Sequence, residues 1–513
     1  MKTSAYYHLI ILSVIFSSTI YSQSDSWFLL PDGLGISNQL EYSYNIDNKI
    51  EIFENWLTLD YSKNIFGAGL RFEAFQPNDP DPSISRGKVR YADIAYKYFT
   101  VDIGDIEKGI SITAGNFYEL FGRGMILKSY EDRNIRIDNN LLGVKVKANY
   151  LGFSLSALTG SAANSVNERK DILHAADLSY NGFDFIKLGT TFASNKPEIE
   201  TIARTMLGSF RIQPSYWNFD GYAEYAFKSN KDVQSQVFNN DEWKIGEAFY
   251  GSLNFYYDAF SIVGEYKHYD NFAFTSYDGT IFYNTSPSLR KEYTYQLLNR
   301  HPSPLDQSNE DGYALEVNYN PSDETSLTAN YGVTKTLPAT SYFQRVNNIS
   351  NPISTQLQEF YFQAAHNWNE SFTTIAAFGY NEELSTNTKN ITPIIENKFY
   401  FDDINTIKIV IEHQQTENLT TSEKYYDDVI AIEYLRSPIF NVSLVTEMQT
   451  KEPEEGKIVR KLWSFIQFGY KLSNHSDISL LIGSRQAGNI CIGGICRFEP
   501  AFQGVELKLL TRL

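Results

Sequence analysis

Ile110–Tyr150, ISITAGNFYELFGRGMILKSYEDRNIRIDNNLLGVKVKANY, decides the reading of the fold. At its far end Leu142, Val144, Val146, Ala148 and Tyr150 fall on one face and Gly143, Lys145, Lys147 and Asn149 on the other. That period of two marks a strand, because successive side chains leave a pleated backbone on opposite sides. Between the two strand-like ends sit Glu119, Arg123, Lys128, Glu131, Asp132, Arg133, Arg136 and Asp138, punctuated by Gly115, Gly122 and Gly124. A strand pair with one apolar wall and one charged wall needs two different solvents. Lipid outside and water inside satisfy it, so the stretch predicts an all-β, transmembrane antiparallel β-barrel.

The same alternation recurs outward from this stretch. Glu51 to Asp60 and Gly67 to Phe75 are early strand candidates, and Ala92, Ile94, Tyr96 and Tyr98 are expected to share one face. Tyr313, Leu315, Val317 and Tyr319 alternate with polar neighbours, as do Leu327, Ala329, Tyr331 and Val333, and Phe260, Ile262, Gly264 and Tyr266. Aromatic residues sit towards the ends of these apolar rows, where a membrane interface would lie. The candidates amount to roughly 22–26 strands, an even number by the barrel rule. Short turns are expected near Asn45–Lys49, Asn320–Glu324, Asn367–Glu370 and Ser473–Asp477. Long polar excursions near 77–87, 229–247, 271–311, 335–355 and 451–460 read as extracellular loops. A secreted sandwich or propeller would also alternate, but no blade-length repeat is present. In the last strand Val505, Leu507, Leu509 and Leu513 oppose Glu506, Lys508, Leu510 and Arg512. That strand resembles the segment that barrel-assembly machinery reads, though it ends in Leu513 rather than an aromatic residue.

The N-terminus reads as an export signal over residues 1–22. Lys2 supplies the positive region, and Leu9 to Ile20 is an apolar run too short to span a bilayer. Small residues near Ser22 permit cleavage before Gln23, leaving 23–513 as one barrel domain. The net charge of −17 argues against nucleic acid or anionic phospholipid as partner, since both require clustered Lys and Arg. An aromatic content of 15%, shared by 36 Tyr and 35 Phe, suits a barrel that places Tyr at interfaces and Phe against lipid. Cys491 and Cys496, in CIGGIC, read as a disulfide on an exported chain, closing a small turn at Gly493-Gly494. Metal ligation lacks a second Cys or His pair, and the 7 histidines stand singly, so no metal or cofactor is expected.

Three stretches together resemble an uncharacterised outer-membrane barrel family of Bacteroidota, a domain-of-unknown-function family. They are GNFYELFGRGMILKSYEDRNIRIDNNLLGVKV (Gly115–Val146), YQLLNRHPSPLDQSNEDGYALEVNY (Tyr295–Tyr319) and CRFEPAFQGVELKL (Cys496–Leu509). The resemblance implies fold and location, the outer membrane of a Gram-negative bacterium after secretory export, and implies no activity. GNFYELFG is also loosely similar to the strand-end motif of phosphate- and carbohydrate-type porins.

The charged middle is the candidate site. Glu119, Arg123, Lys128, Arg133, Arg136 and Asp138 either fold into the lumen as a constriction or form a solvated loop whose charges pair. Opposed charges across a water-filled pore would select solutes. Arg300-His301 is a second, weaker candidate, as a binding or surface-contact loop. No Gly-x-Ser-x-Gly, His-Glu-x-x-His or phosphate-binding loop occurs, so no catalytic residues are assigned. The expected function is a porin-like channel for small hydrophilic solutes. Alternatives are a non-conducting structural or assembly-partner barrel of the envelope and, third, an outer-membrane enzyme. The expected partners are outer-membrane lipid and the barrel-assembly machinery.

Overall fold

A computed structural model of the chain describes residues 31–76, 91–105, 107–134, 137–164, 168–198, 204–229, 244–299, 308–337, 354–384, 386–451, 461–492, 495–499 and 501–513. The segment read as an export signal, together with Arg136, Arg300 and His301, lies outside these residues.

Alternating sequence becomes a ring. Twenty-four strands form one sheet in which each main strand pairs antiparallel with its sequence neighbour. The ring closes where Leu34–Asn45 pairs antiparallel with Phe502–Arg512, from Ser37↔Arg512 to Asn45↔Gly504. Antiparallel closure of first strand on last requires an even count, and 24 falls inside the expected range. Closure also removes every unpaired edge, which no lipid-facing sheet could tolerate. With strands about 4.8 Å apart and tilted by about 40°, a circular ring of this size would be roughly 45–50 Å across.

The two rims differ as the sequence suggests. On one rim the connections are tight, as at Tyr150–Phe153, Tyr216–Phe219 and Tyr257–Phe260, and Leu151, Trp217 and Asp258 take the positive φ that such turns need. Both chain ends of the ring lie on this rim. The other rim carries the long excursions and also the short Asn45–Ile50 connection. Among the described residues no helix is long and apolar enough to cross a membrane.

The outer face is apolar, with Ile103, Phe210, Leu253 and Ile430 all exposed. Near the tight-turn rim aromatic rings pack in pairs, Phe153 on Tyr180, Phe219 on Phe255, Phe260 on Tyr319 and Phe372 on Phe399. Towards the opposite rim tyrosines donate instead to carboxylates: Tyr42 to Glu51, Tyr225 to Glu247, Tyr266 to Asp311 and Tyr380 to Glu382, at 2.9–3.0 Å. From Phe372 to Tyr380 the chain runs about 26 Å along the strand, roughly 20 Å of height once tilted. That spacing is close to an outer-membrane apolar band.

One face assignment needs correction. Ala92, Ile94, Tyr96 and Tyr98 do not share a face, because the pairing with Phe66–Gln76 shifts register between Arg71 and Phe72. This bulge leaves Ile94 opposite Phe72 and half-exposed on the outside, while Tyr96 sits opposite Arg71 and turns inward.

Candidate functional site

Residues 118–134 and 137–140 follow the strand Gly109–Phe117 at the long-loop rim and fold down inside the ring before Leu141–Tyr150 begins. Glu119 fixes the direction: it forms ion pairs with Lys145 at 3.2 Å and Lys147 at 3.0 Å, both on the inward face of Leu141–Tyr150. Leu141 to Lys147 is about 20 Å of strand, so the insert descends deep into the lumen. Its glycines allow this. Gly122 has φ +54°, and a Cβ there would lie 2.9 Å from both the Glu224 carboxylate and the Tyr222 hydroxyl. Gly124 has φ +88° and would meet the Thr285 carbonyl at 2.8 Å.

The candidate charges pair as compact groups against the wall. Asp138 takes Arg71 at 2.5 Å and the Tyr118 hydroxyl at 2.9 Å. Arg133 donates to Glu131 at 3.0 Å and Gln39 at 2.8 Å, with its guanidinium 5.1 Å from the Trp56 ring. Arg123 lies over Tyr222 and Tyr250 and donates to the Tyr250 hydroxyl at 2.8 Å. Those two phenols donate onward to Glu224 and Glu265. Lys128 packs over Tyr130, and burial pushes its ammonium below its ordinary value.

Arg71, which the sequence reading passed over, is the hub of the insert's anchorage. It bonds Glu73 on its own strand at 2.7 Å, and Glu131 at 3.0 Å and Asp138 from the insert. Carboxylate oxygens of Glu73, Glu131 and Asp138 lie within 4.8 Å of one another, a spacing that could hold a cation. The Arg71 guanidinium already stands against all three and supplies that positive charge. The available signal was a lone Arg on the inward row of a strand whose other charge is Glu73. A second signal was the apolar triplet Met125, Ile126 and Leu127 inside the charged stretch. All three are completely buried.

They are buried by a second insert. Residues 271–299, expected among the long extracellular loops, fold into the lumen instead. The physical reason is their apolar content: Phe272, Phe274, Ile281, Tyr283 and Leu289 join Met125, Ile126 and Leu127 in one core cluster with the wall. Backbone bonds stitch the inserts together, Lys128 N to Tyr283 O at 2.9 Å and Thr285 N to Gly124 O at 3.1 Å. Asn284 adds side-chain bonds to the Met125 and Phe272 carbonyls. The insert then follows the inner wall to a one-turn helix, Gln296–Asn299, seated against Asn405–Asn418. Together the inserts place a second, tightly hydrogen-bonded layer within the lumen. Cys491 and Cys496 are direct partners in a two-stranded hairpin, Gly488–Ile492 with Ile495–Glu499.

Solved structures with a similar fold include the P pilus usher (PapC) translocation pore, at 9% identity, TM-score 0.49, and coverage of 93% of this chain and 99% of that one. The FrpB iron transporter from Neisseria meningitidis matches at 9% identity and TM-score 0.41, over 94% and 83% of the two chains. OccK5 (OpdH) of Pseudomonas aeruginosa matches at 8% and 0.39, over 75% and 97%. No curated protein matches the sequence. The sequence-level match is to a family rather than to any of these, and it takes in both inserts and the closing strand: the chain belongs to the Family of unknown function (DUF6029), whose model matches residues 6–513.

Proposed function

We propose that the protein is an outer-membrane, porin-like channel for small hydrophilic solutes, exported with its first 22 residues removed and inserted by the barrel-assembly machinery. The observation that carries this reading is a closed ring with an apolar outer face and charged groups such as Lys145, Lys147, Arg211 and Glu412 on its inner face. Water is the solvent that such an inner face requires. In this reading the inserts narrow the lumen, and Glu119, Arg123, Lys128, Arg133, Arg136 and Asp138 set the charge of the constriction. Cys491 and Cys496, directly opposite in register, form a disulfide that staples their hairpin.

Planar-bilayer recording on refolded, heat-modifiable protein tests the reading. Discrete conductance steps are expected. Folded protein that never conducts would overturn it in favour of a structural barrel for other envelope proteins. One observation favours that second reading: Met125, Ile126, Phe272 and Phe274, all fully buried, build a solid core inside the lumen.

A further inference from the structure

The two halves of the second insert are held by different forces. Phe272–Leu289 belongs to the large apolar cluster that also holds the first insert. Beyond Leu289 the apolar contacts shrink to two small groups. Tyr295 and Leu298 pack with Tyr361, Ala377, Ile394 and Val410, and Leu297 packs with Val429 and Val445. Polar latches do the rest. Arg290 bonds Glu383 at 3.1 Å, with side chains 7% and 0% exposed. Lys291 pairs with Glu316, and its amide donates to Glu359 at 3.2 Å. The amides of Gln296 and Leu297 donate to the two oxygens of Glu412 at 3.0 and 2.8 Å, and the Gln296 side chain donates to Glu447. Every one of these acceptors is a carboxylate on the barrel wall.

We propose that Arg290–Asn299 is a releasable strap, latched to wall carboxylates and hinged where the large cluster ends, and that its release widens the conducting path. The inference rests on the channel reading for its consequence but not for its geometry. An apolar seal holds whatever the charge state of its neighbours. A carboxylate latch fails when its acceptor is neutralised, because the backbone amides and the guanidinium then keep only weak neutral partners. The strap should therefore detach as a unit while Phe272–Leu289 stays seated.

The test combines a released and a locked form in a Cys491→Ser/Cys496→Ser background. Glu383→Gln/Glu412→Gln removes two latches and keeps the side-chain volumes. Single-channel conductance should rise at least twofold. Leu298→Cys/Gly379→Cys supplies the lock, since the Leu298 side chain comes within 2.4 Å of where a Gly379 Cβ would stand. Added to the latch variant, it should return conductance to the wild-type value when oxidised and release it on reduction. Unchanged conductance in a folded, conducting Glu383→Gln/Glu412→Gln protein overturns the proposal. A second readout is independent of conduction: Leu298→Cys, without its partner, is labelled with a charged maleimide in proteoliposomes. Labelling should be at least tenfold faster in the latch variant, and equal rates would refute the strap even if no form conducts. Faster labelling without conductance in any form would uphold the strap and remove the channel.

Discussion

Replacing Arg71 with Met should dislodge the first insert while leaving the ring closed. Arg71 bonds all three of Glu73, Glu131 and Asp138, while Arg133 reaches Glu131 as well, and the side chains of Arg71, Glu73 and Asp138 are 5%, 1% and 7% exposed. Methionine keeps most of the volume and none of the charge. Three carboxylates would then share one pocket with the positive charge common to all three removed, and breaking a buried ion pair by deleting one partner costs about 3–5 kcal/mol. Glu131 is 20% exposed and partly screened, which favours the lower end of that range. At about 1.4 kcal/mol per tenfold, even 3 kcal/mol shifts the seated-to-unseated balance roughly a hundredfold. Glu73 is on the wall while Glu131 and Asp138 are on the insert, so expelling the insert relieves the repulsion without opening the sheet. Limited proteolysis within 118–140, with heat-modifiability as the folding control, measures the outcome. Cleavage should accelerate in Arg71→Met and slow again in Arg71→Met/Glu131→Gln/Asp138→Asn, where Glu73 no longer faces two further carboxylates. A folded Arg71→Met protein that resists protease like wild type would refute the reasoning.

Neutralising Arg123, Arg133 and Arg136 together should make a conducting pore more cation-selective, read as a shifted reversal potential under a salt gradient; unchanged selectivity would place these groups outside the constriction. Lys267 and Glu310 form an ion pair with both side chains 0% exposed. Lys267→Met should therefore lower unfolding stability in urea by about 3–5 kcal/mol, and Lys267→Met/Glu310→Leu should recover most of it; a single variant as stable as wild type would contradict this. Mass spectrometry of non-reduced peptides should find Cys491 linked to Cys496, and Cys→Ser changes should leave the barrel folded, since any link staples only a local hairpin. Free thiols in protein taken from the envelope would remove the disulfide.

The sequence by itself determined the strands and their solvents. A period of two is a local property of the pleat, so Leu142 against Lys145 told which side met lipid and which met water before any partner strand was known. Glycine positions were legible for the same reason: at Gly122 and Gly124 the backbone takes a positive φ that other residues rarely adopt. What only the tertiary structure decided is which distant groups meet. Periodicity fixes a side chain's face but not the path of a connection, and a polar loop that folds inward reads like one that projects into solvent. Arg71 reaches Asp138 across 67 residues, Arg123 reaches Tyr250 across 127, and Leu297 reaches Glu412 across 115. A single shift of register at Arg71/Phe72 also sent Tyr96 to the opposite face from Ile94. These outcomes depend on ring closure, which curves the wall until residues remote in sequence face the same interior. There, burying Met125, Ile126 and Phe272 outweighs leaving their loops in water.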